Sequence, residues 1–297
     1  MSTVIPIVFS FDKRILLGAS VSIKSLIESA AIDTQYDIRI FHSDIDLKTQ
    51  KSLTKLIDGT RHNIAFHYVN PLFFKNAPKS KGSWTEIVYY RFLTAMLLPE
   101  YKKAIYSDVD VLFKDDLSEL YNLDVTDFEF AAVKAEKNSP NNIGHKFFEE
   151  NKNEFIYWSG LMLINCEKFR NDNILGKLLD NATTYNSRLK FFDLDLVNIT
   201  CTKILDAPLK YCVLQSLFYK NDFHQANEYR YLKNVYSDTE IKDAKEHPAI
   251  IHYAGKPGKP WRMKNPYPDY KEYMDKLPKE LKQFTFRDIR KKLFSKV

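Results

Sequence analysis

Along the first hundred residues the apolar positions switch between two periods. Ile5 to Ser10 is a continuous apolar run of strand length, and Gly18 to Ala30 then sets Val21, Ile23, Leu26 and Ile27 at roughly helical spacing. Asp37 to Phe41 predicts a second strand. Asp46 opens a helical segment that runs through Leu56 and is closed by Asp58-Gly59, and Ile64 to Val69 predicts a third strand. This βαβαβ order implies parallel strands covered by helices, with ligands held in the crevice at the carboxyl ends of the strands. Asp12 lies at one such end and Asp108 at another.

Asn70 to Ser83 reads as a basic, proline-containing loop with Lys75, Lys79 and Lys81, and Trp84 to Leu98 as a helix with Arg91 at its middle. Ala104-Ile-Tyr106 is a short buried strand. After Asp110 the chain continues as a short strand and a turn into a helix start. Beyond this point the pattern loosens. Phe128 to Val133 is strand-like, Lys134 to Asn153 is a polar, asparagine-rich loop of a length that often covers a site, Leu161 to Ile164 is a buried strand, and Glu167 to Tyr185 reads as one helix. A second carboxylate pair, Asp193 and Asp195, falls at a helix start, where the dipole favours acids anyway. Gln215 to Lys245 is aromatic and polar and reads as a loop region facing a substrate. Ala249 to Trp261 is an apolar strand that ends in His252 and runs into a Gly/Pro-bent basic loop.

Composition narrows the classes. Of 297 residues 44% are apolar, enough for a substantial core, and neither internal repeats nor a linker cuts the chain in two. Only 8 glycines are present, and no Gly-rich phosphate loop of the Walker or dinucleotide type occurs, so any bound phosphate needs another device. Three widely spaced cysteines, Cys166, Cys201 and Cys212, read as reduced, packed thiols of a reducing compartment. The N-terminus has no basic n-region and no run long enough to cross a bilayer, so a cytoplasmic protein is expected. Net charge is +6, and most of it sits between Lys279 and Val297, where seven basic residues face only Glu280 and Asp288. Leu281, Phe284, Phe286, Ile289, Leu293 and Phe294 are interleaved with those charges. Such a segment suits an anionic membrane surface, and equally a solvated terminal helix or a disordered end. The rest of the chain is nearly neutral and lacks a nucleic-acid reading motif, so no nucleic-acid partner is expected.

The chemistry centres on Lys103 to Phe113, where Asp108 and Asp110 follow an apolar run with one residue between them. If the extended chain continues, both carboxylates face one way. Two like charges so close call for a cation between them, and hard oxygen ligands suit Mn²⁺ or Mg²⁺; a plain surface turn is the alternative. His252, at a later strand end, is either a satisfied core residue or a third ligand. The loop after it carries Lys256 and Lys259, whose ammonium groups suit an anion. Together an Asp-x-Asp pair, a later histidine and a trailing lysine form a cradle for a metal-bound diphosphate, which gains charge as it departs in a transition state.

Five stretches in this order resemble a family 8 glycosyltransferase of GT-A fold: Ile7-Val-Phe-Ser-Phe-Asp12 with Ser22-Ile-Lys-Ser-Leu26; Tyr90-Arg91-Phe-Leu; Ile105-Tyr-Ser-Asp-Val-Asp-Val-Leu112; Ser159-Gly-Leu-Met-Leu-Ile-Asn165 with Phe169-Arg170; and His252-Tyr-Ala-Gly255 ending in Lys259-Pro-Trp261. The resemblance covers most of residues 4 to 262. It implies a Rossmann-like α/β domain over residues 1–265, with a mixed, mostly parallel central sheet flanked by helices. Residues 1–115 would form a nucleotide-binding half and 116–265 an acceptor-binding half with the closing metal and diphosphate loop, followed by a basic helical tail at 266–297. It further implies a UDP-sugar donor, Mn²⁺ (or Mg²⁺) on Asp108, Asp110 and His252, and transfer with retention. Donor contacts would fall on Ser10, Asp12, Arg91, Asp108, Val109, Gly255 and Lys259. The acceptor would be an oligosaccharide or lipid-linked glycan, such as a bacterial surface glycan built at the inner face of a membrane.

Several positions depart from the family pattern. Trp158 stands where an asparagine is usual, Leu194 where Asp-Gln-Asp has its glutamine, and Lys13, Arg14 and Ile15 replace Asp-Asn-Tyr; the Gly255 to Lys259 loop is one residue longer. Leu194 has no attacking heteroatom, so a double displacement through that position is excluded. A front-face attack beside the leaving diphosphate, or a covalent intermediate on Asp193 or Asp195, remains. Two other readings stand beside the transferase: a degenerate relative that binds nucleotide or glycan without transfer, suggested by Trp158 and Leu194, and an Asp-x-Asp phosphatase, disfavoured because Val111-Leu112 follow where x-Thr is expected.

Overall fold

The computed structural model describes residues 3–78 and 85–294; Lys79, Lys81, Trp84 and Lys296 lie outside the described residues. The expected strands all form. They are β1 (Thr3–Ser10), β2 (Thr34–His42), β3 (Asn63–Tyr68), β4 (Lys103–Ser107), β5 (Val111–Phe113), β6 (Phe130–Lys137), β7 (Phe155–Tyr157), β8 (Leu161–Asn165), β9 (Ile204–Ala207), β10 (Val213–Leu214) and β11 (Ile250–His252), of which β7, β9 and β10 are additions to the sequence pattern. The main sheet runs β3-β2-β1-β4-β8-β6-β7, with β9 beside β6. Strands β3, β2, β1 and β4 are parallel, β8 is antiparallel to β4 and β6, and β9 is parallel to β6. The result is the mixed, mostly parallel sheet flanked by helices that the sequence implies.

Strand β1 is apolar on both faces because helices cover both. Ile5, Ile7 and Phe9 enter one core cluster and Val8 the other, as period-2 alternation requires. Each such fully buried aliphatic or aromatic side chain stabilises the fold by roughly 1.5–3 kcal/mol. The helix Leu16–Glu28 packs its Val21, Ile23 and Leu26 face on this layer. Asp46 caps the helix Leu47–Thr54 as its side chain predicts, accepting the Thr49 N–H at 2.8 Å.

Four segments differ from the sequence reading. The helix expected from Trp84 is a 3₁₀ run, Glu86–Leu93, that becomes α-helical only at Thr94–Leu97. The single helix expected over 167–185 is two, Cys166–Asn171 and Ile174–Thr184, broken at Asn173, whose φ of +51° is left-handed. The expected polar loop from Lys134 begins inside β6, and Glu136 at its mouth pins it by accepting N–H groups from Ile143 (2.6 Å), Gly144 (3.0 Å) and His145 (2.8 Å). Residues 215–245 are largely short helices rather than loop: Gln215–Phe218, Phe223–Gln225, Tyr229–Leu232 and Asp238–Glu246. The last starts with a capping box between Ser237 and Glu240, a signal legible in the sequence.

The small sheet β10-β11-β5 positions the site. Antiparallel pairing of β11 with β5 sets His252 opposite Val111, and the Tyr253 N–H donates to the Asp110 carbonyl at 2.8 Å, so a strand near the end of the domain is registered on the Asp-x-Asp segment. Downstream, Trp261 lies under the helix Leu16–Glu28 and stacks on Tyr270. Beyond it the helix Pro268–Lys276 packs back on that same helix, with Lys276 paired to Glu28 at 2.9 Å, so much of the expected tail belongs to the packed body. Among the described residues of the tail, the final helix, Phe286–Phe294, presents an exposed apolar face.

Gly18 makes room for the Trp261 ring, since a Cβ there would lie 2.7 Å from two ring carbons. Alanine would gain up to about 1 kcal/mol of helix propensity, but pressing a methyl into a fully buried indole costs about 1–3 kcal/mol. Gly18→Ala should therefore lower the thermal midpoint by several degrees in calorimetry; an unchanged or higher midpoint would show that the ring yields freely.

Candidate active site

The strand β4 ends at Ser107, the chain turns through Asp108-Val109-Asp110, and β5 begins at Val111. The carboxylates converge through this turn and not through continued extension. With His252 they form a group whose ligand atoms all lie within 4.8 Å of one another. His252 Nε2 is 3.2 Å from Asp110 Oδ1 and 3.9 Å from Asp108 Oδ2, and its Nδ1 faces Cys212 Sγ at 3.7 Å. Lys259 Nζ donates to Asp110 Oδ2 and, at 3.0 Å, to the Tyr253 carbonyl. Burial alone would raise the Asp110 carboxyl, but Lys259 and His252 hold it well below the usual carboxylate range. Burial likewise would lower His252, yet Asp110 raises it well above the ordinary imidazole range, so a cation entering here must displace a proton.

Two carboxylates and an imidazole suit a divalent ion of the Mn²⁺ or Mg²⁺ kind. Gly160 bears on this fit. A Cβ there would stand 2.8 Å from His252 Cε1 and 2.9 Å from Asp108 Oδ2, so the hydrogen at this position keeps the space between two ligands open. The Gly160 carbonyl also accepts the Asp108 N–H at 2.7 Å.

Arg91 is buried behind the pair. Its Nη2 donates to Asp108 Oδ1 at 2.7 Å, its Nη1 reaches Asp193 Oδ2 at 2.9 Å and also the Ser159 carbonyl, and the guanidinium lies 4.4 Å from the centre of the Tyr106 ring. One cation thus ties the 3₁₀ run, the Asp-x-Asp turn and Asp193 of the second carboxylate pair together. Asp193 also accepts Ser159 Oγ at 2.7 Å; burial raises its carboxyl to about 6, with Arg91 opposing the rise. Asp195 does not join this group: it accepts the N–H groups of Lys190 (2.6 Å) and Phe191 (2.8 Å) and fixes the turn before its own helix.

The remaining candidates fall around the same end of the sheet. Ser10 Oγ and Tyr106 Oη are 2.8 Å apart, and Tyr106 donates on to Asp108 Oδ1 at 3.1 Å, a buried hydroxyl chain. Asp12 caps the turn Lys13–Ile15, accepting the Arg14 N–H at 2.8 Å and Nε at 2.7 Å, so its helix-entry role is met and its charge already has a partner. Val109 is buried. Gly255 has a φ of +70°, a conformation that suits glycine. Trp158 packs edge-on against His145 with ring centres 4.7 Å apart, in the small apolar cluster that holds Leu194. Tyr106, Ser159 and Gly160 are missing from the sequence candidates. Tyr106 was legible, being two residues before Asp108 on the same strand face; the role of Gly160 is visible only as space.

A match to the family described as Glycosyl transferase family 8 extends over residues 6–265, and the chain belongs to that family. A glycosyltransferase relative from Haemophilus influenzae is 27% identical over 195 residues, which cover 66% of this chain and 58% of that protein; the chain thus spans less than two thirds of it. The lipopolysaccharide 1,3-galactosyltransferase of Salmonella typhimurium is 25% identical over 283 residues, covering 88% of this chain and 74% of that one. Among solved structures, the galactosyltransferase LgtC in complex with donor and acceptor sugar analogues superposes with a TM-score of 0.72 at 22% identity, covering 93% of this chain and 98% of that chain. The fold is accordingly GT-A.

If Gly160 keeps the cation site open, Gly160→Ala should weaken Mn²⁺ binding by about 10–100-fold, the range for disturbing the support of metal ligands. Counting free Mn²⁺ by electron paramagnetic resonance measures this directly, and wild-type affinity in the variant would refute the assignment.

Proposed function

We propose that this protein is a metal-dependent retaining transferase that moves a hexose, glucose or galactose, from a UDP-sugar to a glycan acceptor, with bacterial lipopolysaccharide or lipooligosaccharide the acceptor class that its relatives suggest. The observation that carries the reading is the convergence of Asp108, Asp110 and His252 from two strands, with Lys259 and Arg91 at their edges, in a chain of family 8. Residues 1–265 are the catalytic unit in this reading, and the packed helix Pro268–Lys276 joins them to the final helix.

Asp108, Asp110 and His252 would hold a divalent ion, which would supply charge stabilisation to a departing diphosphate. Lys259, paired here with Asp110, would bind the phosphate oxygens, and Gly255 would let the backbone approach them. Ser10, Asp12 and Val109 line the nucleoside side. Arg91 fixes the orientation of Asp108 and Asp193 at once. The acceptor hydroxyl attacks the anomeric carbon on the face that UDP leaves: the new glycosidic bond forms, the bond from carbon to phosphate oxygen breaks, and the hydroxyl proton passes to the departing oxygen. Asp193 is engaged by Arg91 and Ser159, and Asp195 by two backbone N–H groups, which favours this front-face route over a covalent intermediate on either. Engagement of Trp158 with His145 supports an active enzyme over a degenerate binder whose indole fills the sugar site.

No helix among the described residues is long and apolar enough to cross a membrane. In the helix Phe286–Phe294, Phe286, Leu293 and Phe294 are 83%, 74% and 77% exposed beside the exposed basic Arg290 and Lys291, whereas Asp288 is 1% exposed and anchors the helix to Arg262 and Thr285. A docked helix with an exposed apolar face flanked by cations suits an anionic membrane surface, which supports peripheral association with an inner membrane face.

A panel of UDP-sugars should reveal Mn²⁺-dependent hydrolysis of UDP-glucose or UDP-galactose without acceptor. Asp108→Asn should lower that rate by about 10²–10³-fold while circular dichroism and melting stay near wild type; undiminished turnover would remove the metal site. Separately, the protein should float with vesicles rich in anionic phospholipid and be released as salt shortens the Debye length. Equal flotation after replacing Phe286, Leu293 and Phe294 by serine would discard the tail assignment.

A further inference from the structure

The loop that carries Gly255 and Lys259 is held from below by a residue outside the motif. Gln215 opens the short helix after β10, the strand whose Leu214 pairs with His252, and its side chain is fully buried. Its Nε2 donates to the Ala254 carbonyl at 3.2 Å and to the Gly258 carbonyl at 3.1 Å, one hydrogen bond to each end of the loop. Between those ends Gly255, Lys256 and Pro257 are exposed, and Gly255 and Gly258 take φ values of +70° and +126° that only glycine adopts readily. Such a tip has little packing of its own to hold its shape.

We propose that Gln215 is a positioning residue that aims the backbone amides of this loop at the diphosphate of the donor. The argument is one of peptide geometry. In a trans peptide the carbonyl and the following N–H point in opposite directions. Drawing the Ala254 and Gly258 carbonyls inward to one buried amide turns the N–H groups of Gly255 and Lys259 away from it. Neither N–H donates to a protein group among the described residues. Two amides turned outward beside the Lys259 ammonium form a concavity of the kind that binds phosphate oxygens. Gln215 Oε1 has no protein partner among the described residues, so the side chain's hydrogen bonding is spent entirely on the loop. A carboxylate of the same shape would face two carbonyl oxygens with no proton to share, so the position needs a donor and not merely a polar group.

This inference rests on the reading of the site as one for a UDP-linked donor, and the test separates the two. The full chain with Mn²⁺ is titrated calorimetrically with UDP and, in parallel, with uridine, for the unsubstituted protein, Gln215→Glu and Gln215→Leu. Loss of the two hydrogen bonds should weaken UDP by about tenfold or more while leaving uridine affinity and Mn²⁺ affinity unchanged, and should raise KM for the UDP-sugar more than it lowers kcat. A lower melting temperature with UDP and uridine weakened equally, or with neither changed, would make Gln215 structural only and overturn the proposal. Should the substituted chains not fold, hydrogen exchange in the unsubstituted protein decides: the Gly255 and Lys259 amides should exchange more slowly on adding Mn²⁺ and UDP, and unchanged exchange overturns it. Absence of UDP binding by the unsubstituted protein would defeat the donor reading and this inference together, whereas intact UDP binding by both variants defeats this inference alone.

Discussion

Holding two carboxylates a residue apart inside a largely buried site is the constraint that organises this protein. Their mutual repulsion must be balanced by cations, and the structure brings three from distant parts of the chain: Arg91 to Asp108, and His252 and Lys259 to Asp110. Each balancing group is delivered by a different device. Arg91 comes from a 3₁₀ run, His252 from the end of β11, and Lys259 from a loop bent by two glycines and anchored by Trp261.

The division of labour between the two carboxylates follows from their partners. Asp108 is tied to rigid elements through Arg91, Tyr106 and the Gly160 carbonyl, so its position is fixed by the core. Asp110 is paired to groups on the β11 strand and its trailing loop. Arg91 extends the fixed side to Asp193, which joins the same electrostatic unit, whereas Asp195 is consumed by the backbone of its own turn. The spacing of Asp193 and Asp195 in sequence suggests equivalent roles; their partners make them different.

Much of the architecture was legible because the local signals agree with one another. Apolar runs of strand length, the Asp46 cap and the alternating order of the first hundred residues all describe one parallel sheet. The misreadings share a cause. The break at Asn173 depends on a left-handed residue that helical spacing does not encode, and the run of short helices after Gln215 was hidden by aromatic and polar composition despite the Ser237/Glu240 capping pair. The strands β7, β9 and β10 are two to four residues long, too short to show a period, and exist because of nonlocal pairing.

By itself the sequence determined the chemistry available here: an Asp-x-Asp pair, a later histidine, a Gly/Pro loop with lysine and an arginine before the strand, in an order that resembles family 8. Only the tertiary structure decided which of these groups share a charge, that Gly160 contributes a space and that Gln215 holds the loop from beneath. The physical reason is that charge balance and steric room are set by distances between residues far apart in the chain, while residue order constrains only their neighbours.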